Sequence, residues 1–206
     1  MNKILMTLTV MVVGLSANVL DVDAQNTSRT AKRQQELDKW HQEMDAFKAR
    51  SQQRRELNDL TDSIAGVQAK AAVLNQDFVL EADQVTFKNG NSVFVNSNTT
   101  FISVKGNRAV VQVSPSNFSA GPNGVGGVTV DGMVSGMQKM VDKKGGTNIS
   151  FNVTGIGLNA QIEIYMYPGT NQATATIYPN FNSNTVWMQG DIVPYENSSV
   201  FEGASL

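Results

Sequence analysis

The sequence predicts an α+β protein, with an N-terminal helical arm followed by an antiparallel β meander that forms a sandwich or a barrel. Three observations carry this. From Gln25 to Asn75 the chain is rich in Gln, Arg, Lys, Glu, Leu and Ala and holds one glycine and no proline, a composition of helix formers. Beyond Asn75 it turns to Val, Ile, Thr, Phe, Tyr, Asn and Gly, which suits strands and turns. The apolar runs of this second part are joined by short turns without crossover helices, which argues against a parallel α/β sheet.

The organisation expected is a signal peptide over 1–24, a helical arm over 25–75 and an antiparallel β domain over 76–206. Met1-Asn2-Lys3 is a short basic start, and Ile4 to Val13 is an apolar run broken only by threonines. That run is well short of the ~20 residues needed to span a bilayer. Val22-Asp23-Ala24 presents small or β-branched residues where a signal peptidase reads, so cleavage is expected before Gln25. The reading is export to a bacterial periplasm, with no transmembrane span once the signal is removed.

The chain contains no cysteine. This excludes a lipoprotein anchor on cysteine, a disulfide staple, a thiol nucleophile and a thiolate metal site. The single histidine, His41, excludes a multi-histidine metal centre. A formal net charge of −2 lacks the basic stripe of a nucleic-acid binder. The sequons Asn148-Ile-Ser and Asn152-Val-Thr read as by-products of an Asn/Thr-rich composition.

The arm carries two apolar stripes at steps of three and four. One is Leu37, Trp40, Met44 and Phe47; the other is Leu57, Leu60, Ile64, Val67, Ala71 and Leu74. On an ideal helix at ~100° per residue they fall on roughly opposite sides. The stretch Ser51-Gln-Gln-Arg-Arg55 between them has no apolar residue, so a kink or break near 51–56, or two different partners, is expected. The second half is expected to dock on the β domain and the first half to project. Helix-mediated association is the alternative, although two short stripes fall below the three or four sustained heptads of a coiled coil.

In the β domain, Phe78 to Phe87 leads into the turn pair Asn89-Gly90 and on to Val93-Phe94-Val95. Phe101 to Val104 and Ala109 to Val113 flank Lys105-Gly106-Asn107. Strands follow over Ile149–Thr154, Ala160–Tyr167, Ala173–Tyr178 and Val186–Val193. Met133, Met137, Met140 and Val141 sit at helical spacing, but Gly132 and Gly136 lie among them. That segment reads as two strands, Val128–Val134 and Met137–Asp142.

From Asp77-Phe-Val-Leu-Glu-Ala-Asp83 onward the chain resembles an uncharacterised family of exported Bacteroidetes proteins, domain of unknown function 4251. Further residues carrying the likeness are Phe101-Ile-Ser-Val, Ala109-Val-Val-Gln-Val, Gly124-Val-Gly-Gly-Val-Thr-Val-Asp-Gly132, Ile149-Ser-Phe-Asn-Val and the final strand containing Gly190. The likeness spans Asp77 to about Pro194. It implies location and style of fold, and no activity, ligand or catalytic residue.

Candidate chemistry is sparse. The glycine-rich loop from Ser114 to Gly127 lacks the Lys-Ser/Thr of a phosphate-binding loop and runs into a strand rather than a helix. Asp131 alone does not make a calcium loop. Glu81, Asp83, Asp131, Glu163 and Asp191 are carboxylates of the kind that work in pairs in glycan cleavage, but sequence does not bring two together. A serine nucleophile would lack a histidine partner, because His41 lies in the arm.

Alternation in the last strands gives the one positive signal. Ile162, Ile164, Met166, Ala173, Ala175, Ile177, Val186 and Met188 share one face. The other face offers Gln161, Glu163, Tyr165, Tyr167, Thr174, Thr176, Tyr178, Trp187 and Gln189. Tyr165, Tyr167, Tyr178 and Trp187 make a candidate platform for sugar or peptide, since aromatic rings supply flat apolar area with polar tips. The plain alternative is that aromatics and threonines are good strand formers on a half-exposed face.

The reading is therefore a non-enzymatic binding or structural module of the cell envelope with no cofactor, whose partner is an envelope component or glycan. A barrel carrying a small apolar ligand is the alternative, and a glycan hydrolase the third.

Overall fold

The computed structural model describes residues 2–114, 127–155, 159–180 and 185–204, with side chains from Thr27 onward. The glycine-rich 115–126 lies outside the described residues. Among the described residues a helix, α1 (Asn2–Asn75), precedes nine strands: β1 (Asp77–Phe87), β2 (Ser92–Phe94), β3 (Phe101–Lys105), β4 (Arg108–Val113), β5 (Val128–Val141), β6 (Thr147–Gly155), β7 (Asn159–Met166), β8 (Gln172–Pro179) and β9 (Val186–Pro194). The chain divides into two compact units, Met1–Leu57 and Asn58–Leu206.

The first unit is helical. Leu37, Trp40 and Phe47 are exposed, and Trp40 meets His41 edge-on at 5.1 Å between ring centroids. Lys39–Glu43 and Asp45–Lys48 form solvated pairs at helical spacing, each at 3.9 Å. Such exposed pairs add little stability. Helical backbone continues through Ser51 to Glu56.

The second unit is a closed barrel. β1 pairs with β3 along one edge and with β9 along the other, so β1 and β3 to β9 form eight antiparallel strands without a free edge. The short β2 extends the β3 edge of β1, pairing Ser92–Phe94 with Gln84–Thr86. Of the sandwich and barrel expected from sequence, the barrel forms. Eight strands leave an interior just wide enough for side chains. Phe78, Leu80, Ile102, Ile149, Phe151, Ile162, Ile164, Met188 and Ile192 fill it and are fully buried.

The 128–141 segment is one strand rather than two. A register shift between Ser135 and Gln138 marks a bulge, with Gly136 at φ 64 supplying the left-handed residue. Across this bulged strand Met133 and Met140 are exposed while Met137 packs against the core, so their helical spacing does not mark a shared face.

A second apolar cluster lies outside the barrel wall. Val79, Phe101 and Val110 are covered by Val193, Tyr195 and Val200 from the chain's last segment. Gln112 fixes that cover. Its amide nitrogen donates to the carbonyls of Thr99 and Phe201, both at 2.9 Å, and its oxygen accepts from the Gly203 amide at 2.8 Å. Arg108 binds Asp131 bidentately at 2.9 Å and Glu202 at 3.0 Å. These bonds raise the guanidinium pKa above its ordinary value, Asp131 contributing most.

The end of α1 docks on the barrel, but not through the stripe expected from sequence. Gly66, Ala69, Ala72 and Val73 are the buried residues. A Cβ on Gly66 would stand 2.9 Å from the Thr170 backbone nitrogen, so helix and β7–β8 turn meet backbone to backbone. Large side chains would hold them apart, and the leucine-rich stripe is left in solvent. Leu60 is 61%, Ile64 60%, Val67 69% and Leu74 59% exposed. Gln76 ends the helix in the left-handed region at φ 58, its amide bonding the Val73 carbonyl. The Lys139 ammonium donates to the Val73 and Leu74 carbonyls at 3.3 and 2.9 Å, a cation where orphan carbonyls need one.

Candidate functional site

The strands β6 to β9 alternate strictly, so each apolar residue sent inward leaves a polar or aromatic neighbour outside. On this outer wall lies an open groove of about 420 Å³ lined by Asn148, Ser150, Glu163, Tyr165, Tyr167, Thr174 and Thr176, with Ile149 and Ile164 behind them. Register builds it. Ser150 pairs with Glu163 and Glu163 with Thr176; Asn148 pairs with Tyr165 and Tyr165 with Thr174. Two rows of outward side chains thus run across three strands.

Tyr165 and Tyr167 form its aromatic part, T-shaped with centroids 5.3 Å apart. Tyr165 is anchored: its hydroxyl donates to Asp142 at 3.0 Å, in the turn between β5 and β6. Gly146 makes room there, since a Cβ would collide with the Tyr165 ring. The bond to Asp142 leads in raising the Tyr165 hydroxyl above its usual pKa, with burial adding to it. For Asp142, burial pulls upward, but the Tyr165 hydroxyl and the amides of Lys144, Gly146 and Gly145 outweigh it and hold the carboxyl below its usual range. Tyr167 is looser, 40% exposed, its hydroxyl sharing a 2.9 Å bond with Thr174.

Of the four aromatics singled out in sequence, two therefore line the groove. Tyr178 and Trp187 lie on the same outer wall, 41% and 37% exposed, beyond the groove lining. Trp187 pairs with Thr176, which does line it. Asn148, Ser150 and Asp142 were not singled out as site residues. The signal was present, because Asn148 and Ser150 alternate with the inward Ile149 and Phe151.

The carboxylates of the hydrolase reading separate: Asp131 is held by Arg108 on β4, away from the others. Glu163 is in the groove and hydrogen-bonds Gln161 at 3.0 Å. Glu81 and Asp191 face each other in register between β1 and β9, where Glu81 accepts from Ser198 at 2.6 Å. Burial, then the charges of Asp83, Asp62 and Glu81, raise the Asp191 pKa above its ordinary value. Among the described residues no three of His, Asp or Glu are placed to hold a metal.

The family model for DUF4251, domain of unknown function, matches residues 63–192. The chain belongs to the DUF4251 family. A crystal structure of a DUF4251 family protein from Bacteroides eggerthii is similar at 47% identity and a TM-score of 0.61, over 69% of this chain and 96% of that one. Among curated proteins no relative matches. The match begins at Ser63, so within α1 the DUF4251 unit takes in the docking residues Gly66, Ala69, Ala72 and Val73.

Proposed function

We propose that this DUF4251 protein is a non-catalytic glycan-binding module of the bacterial envelope, reading sugar on the outer wall of its barrel. The observation that supports the reading is the groove itself. It sets the edge-to-face Tyr165–Tyr167 pair beside amide, hydroxyl and carboxylate groups from Asn148, Ser150, Glu163, Thr174 and Thr176. Sugar rings present apolar C–H faces and a rim of hydroxyls, and this lining offers a partner to each. Pre-anchoring of Tyr165 by Asp142 lowers the ordering cost of binding. The export reading rests on the basic start, the short apolar run and the Val22-Asp23-Ala24 junction.

The carrier alternative has the closed barrel in its favour, but side chains from all eight strands pack its interior. The outer groove is the more economical site. Calorimetric titration with envelope oligosaccharides tests it. Tyr167→Ala is expected to weaken binding more than ~5-fold, as the loss of a hot spot of over ~1 kcal/mol does. Binding of peptides but not sugars, or sugar binding indifferent to Tyr167, would sink the glycan reading.

A further inference from the structure

The helix that docks on the barrel also carries a free seam. Leu60, Ile64, Val67, Ala71 and Leu74 follow steps of four, three, four and three, which places Ile64 and Ala71 at heptad position a and the others at d. In the same register Gly66 and Val73 fall at c, Ala72 at b and Ala69 at f. Those four are the residues buried against the barrel. The b, c and f positions lie on the far side of a helix from a and d, so the seam points directly away from its own barrel. Among the described residues the four large seam side chains are 59–69% exposed.

We propose that the seam pairs with the same seam of a second copy of this chain, as a parallel two-stranded coil with a barrel on each flank. Ile at a with Leu at d, as Ile64 stands with Leu60 and Leu74, is the choice that parallel pairs prefer; Val67 at d departs from it. The flanking e and g positions are Thr61, Ser63, Gln68, Lys70 and Asn75. In parallel register Ser63 faces Gln68 and Lys70 faces Asn75 of the other copy. No like charges meet, and no charge pattern selects a different partner. The strip is ~22 Å long and with its flanks covers on the order of 1,000 Å² over both copies, the lower bound for a specific interface. The pair is therefore a weak, concentration-dependent one.

Sedimentation velocity on the full gene product, as recovered from the producing cell, tests this across a hundredfold concentration range. The expected result is a monomer–dimer equilibrium that Ile64→Glu and, separately, Ala71→Glu shift at least tenfold toward monomer. Circular dichroism identifies any variant that fails to fold, and the other then decides. Val67→Cys, the only thiol in that variant, is expected to form an intermolecular disulfide on oxidation, because parallel d positions bring Cα atoms within ~7 Å. A wild-type chain that stays monomeric throughout overturns the proposal and assigns the seam to another protein or to lipid. A dimer that survives both glutamates overturns it as well, and a dimer that never cross-links through Val67→Cys overturns the parallel arrangement.

Discussion

Gln76 holds a left-handed conformation that costs a residue with a Cβ about 1–2 kcal/mol. It stands where the helix must stop within a single step before β1 begins at Asp77. Gln76→Gly is expected to stabilise the protein by ~0.5–1 kcal/mol, the relief of strain being offset in part by glycine's greater unfolded-state freedom. A urea melt reads this directly, and a loss of stability would mean the Gln76 side chain contributes more than its backbone costs. Asp191 is strained electrostatically. Its folded pKa is raised, so the folded state holds the proton more tightly than the unfolded one. Stability therefore falls as pH rises from the unfolded carboxylate value through the folded one, and the penalty is fully present only above the folded value. Asp191→Asn is expected to raise the melting temperature at pH 7 and leave it nearly unchanged at pH 3. Equal shifts at both would point to packing rather than charge.

The strands were legible in the sequence because one alternation has one meaning: Ile162, Ile164 and Met166 go in, and Glu163, Tyr165 and Tyr167 go out. The helix was harder, for a physical reason. Apolar periodicity ranks faces by hydrophobicity, and by that rule the Leu60–Leu74 stripe should dock. The barrel instead takes the face that allows the closest approach, that of Gly66, Ala69 and Ala72, whose weak hydrophobicity hides it from a periodicity count. In β5 the strand character was legible but its continuity was not, since a bulge at Gly136 carries one strand through the glycine that was read as a break. The choice of barrel over sandwich was not legible, because it depends on β1 meeting β9 from near the opposite end of the β domain. Of the four aromatics, alternation placed all on the right wall, but only register separates Tyr165 and Tyr167 in the groove from Tyr178 and Trp187 beside it. Trp187 also carries an energetic prediction at this scale. At 37% exposed and set against Thr86 and Thr176, it is neither core nor free. Trp187→Ala is expected to cost about 1–2 kcal/mol in a urea melt, short of the ~3–5 kcal/mol of a buried tryptophan. A loss at the upper figure would make it part of the fold and remove it from the binding wall.

For the whole molecule, the division at Leu57 separates a helical unit from one that closes its own core. The described residues up to Ser51 bury no apolar side chain, so a chain beginning near Gln52 is expected to melt within a few degrees of the longer one. A fall larger than ~5 °C, on the order of 2 kcal/mol for a domain of this size, would show that the first stripe supports the barrel. The outer wall, and not the filled interior, is the proposed meeting place of this DUF4251 protein and its ligand. The most direct measurement is backbone amide chemical-shift mapping during titration with envelope oligosaccharides. Shifts are expected to concentrate at 148–150, 163–167 and 174–176, with the inward Ile162, Ile177 and Met188 and the tail-covered Val79 and Val110 unmoved. Shifts centred on those buried positions, or no shift with any sugar at millimolar concentration, would contradict it.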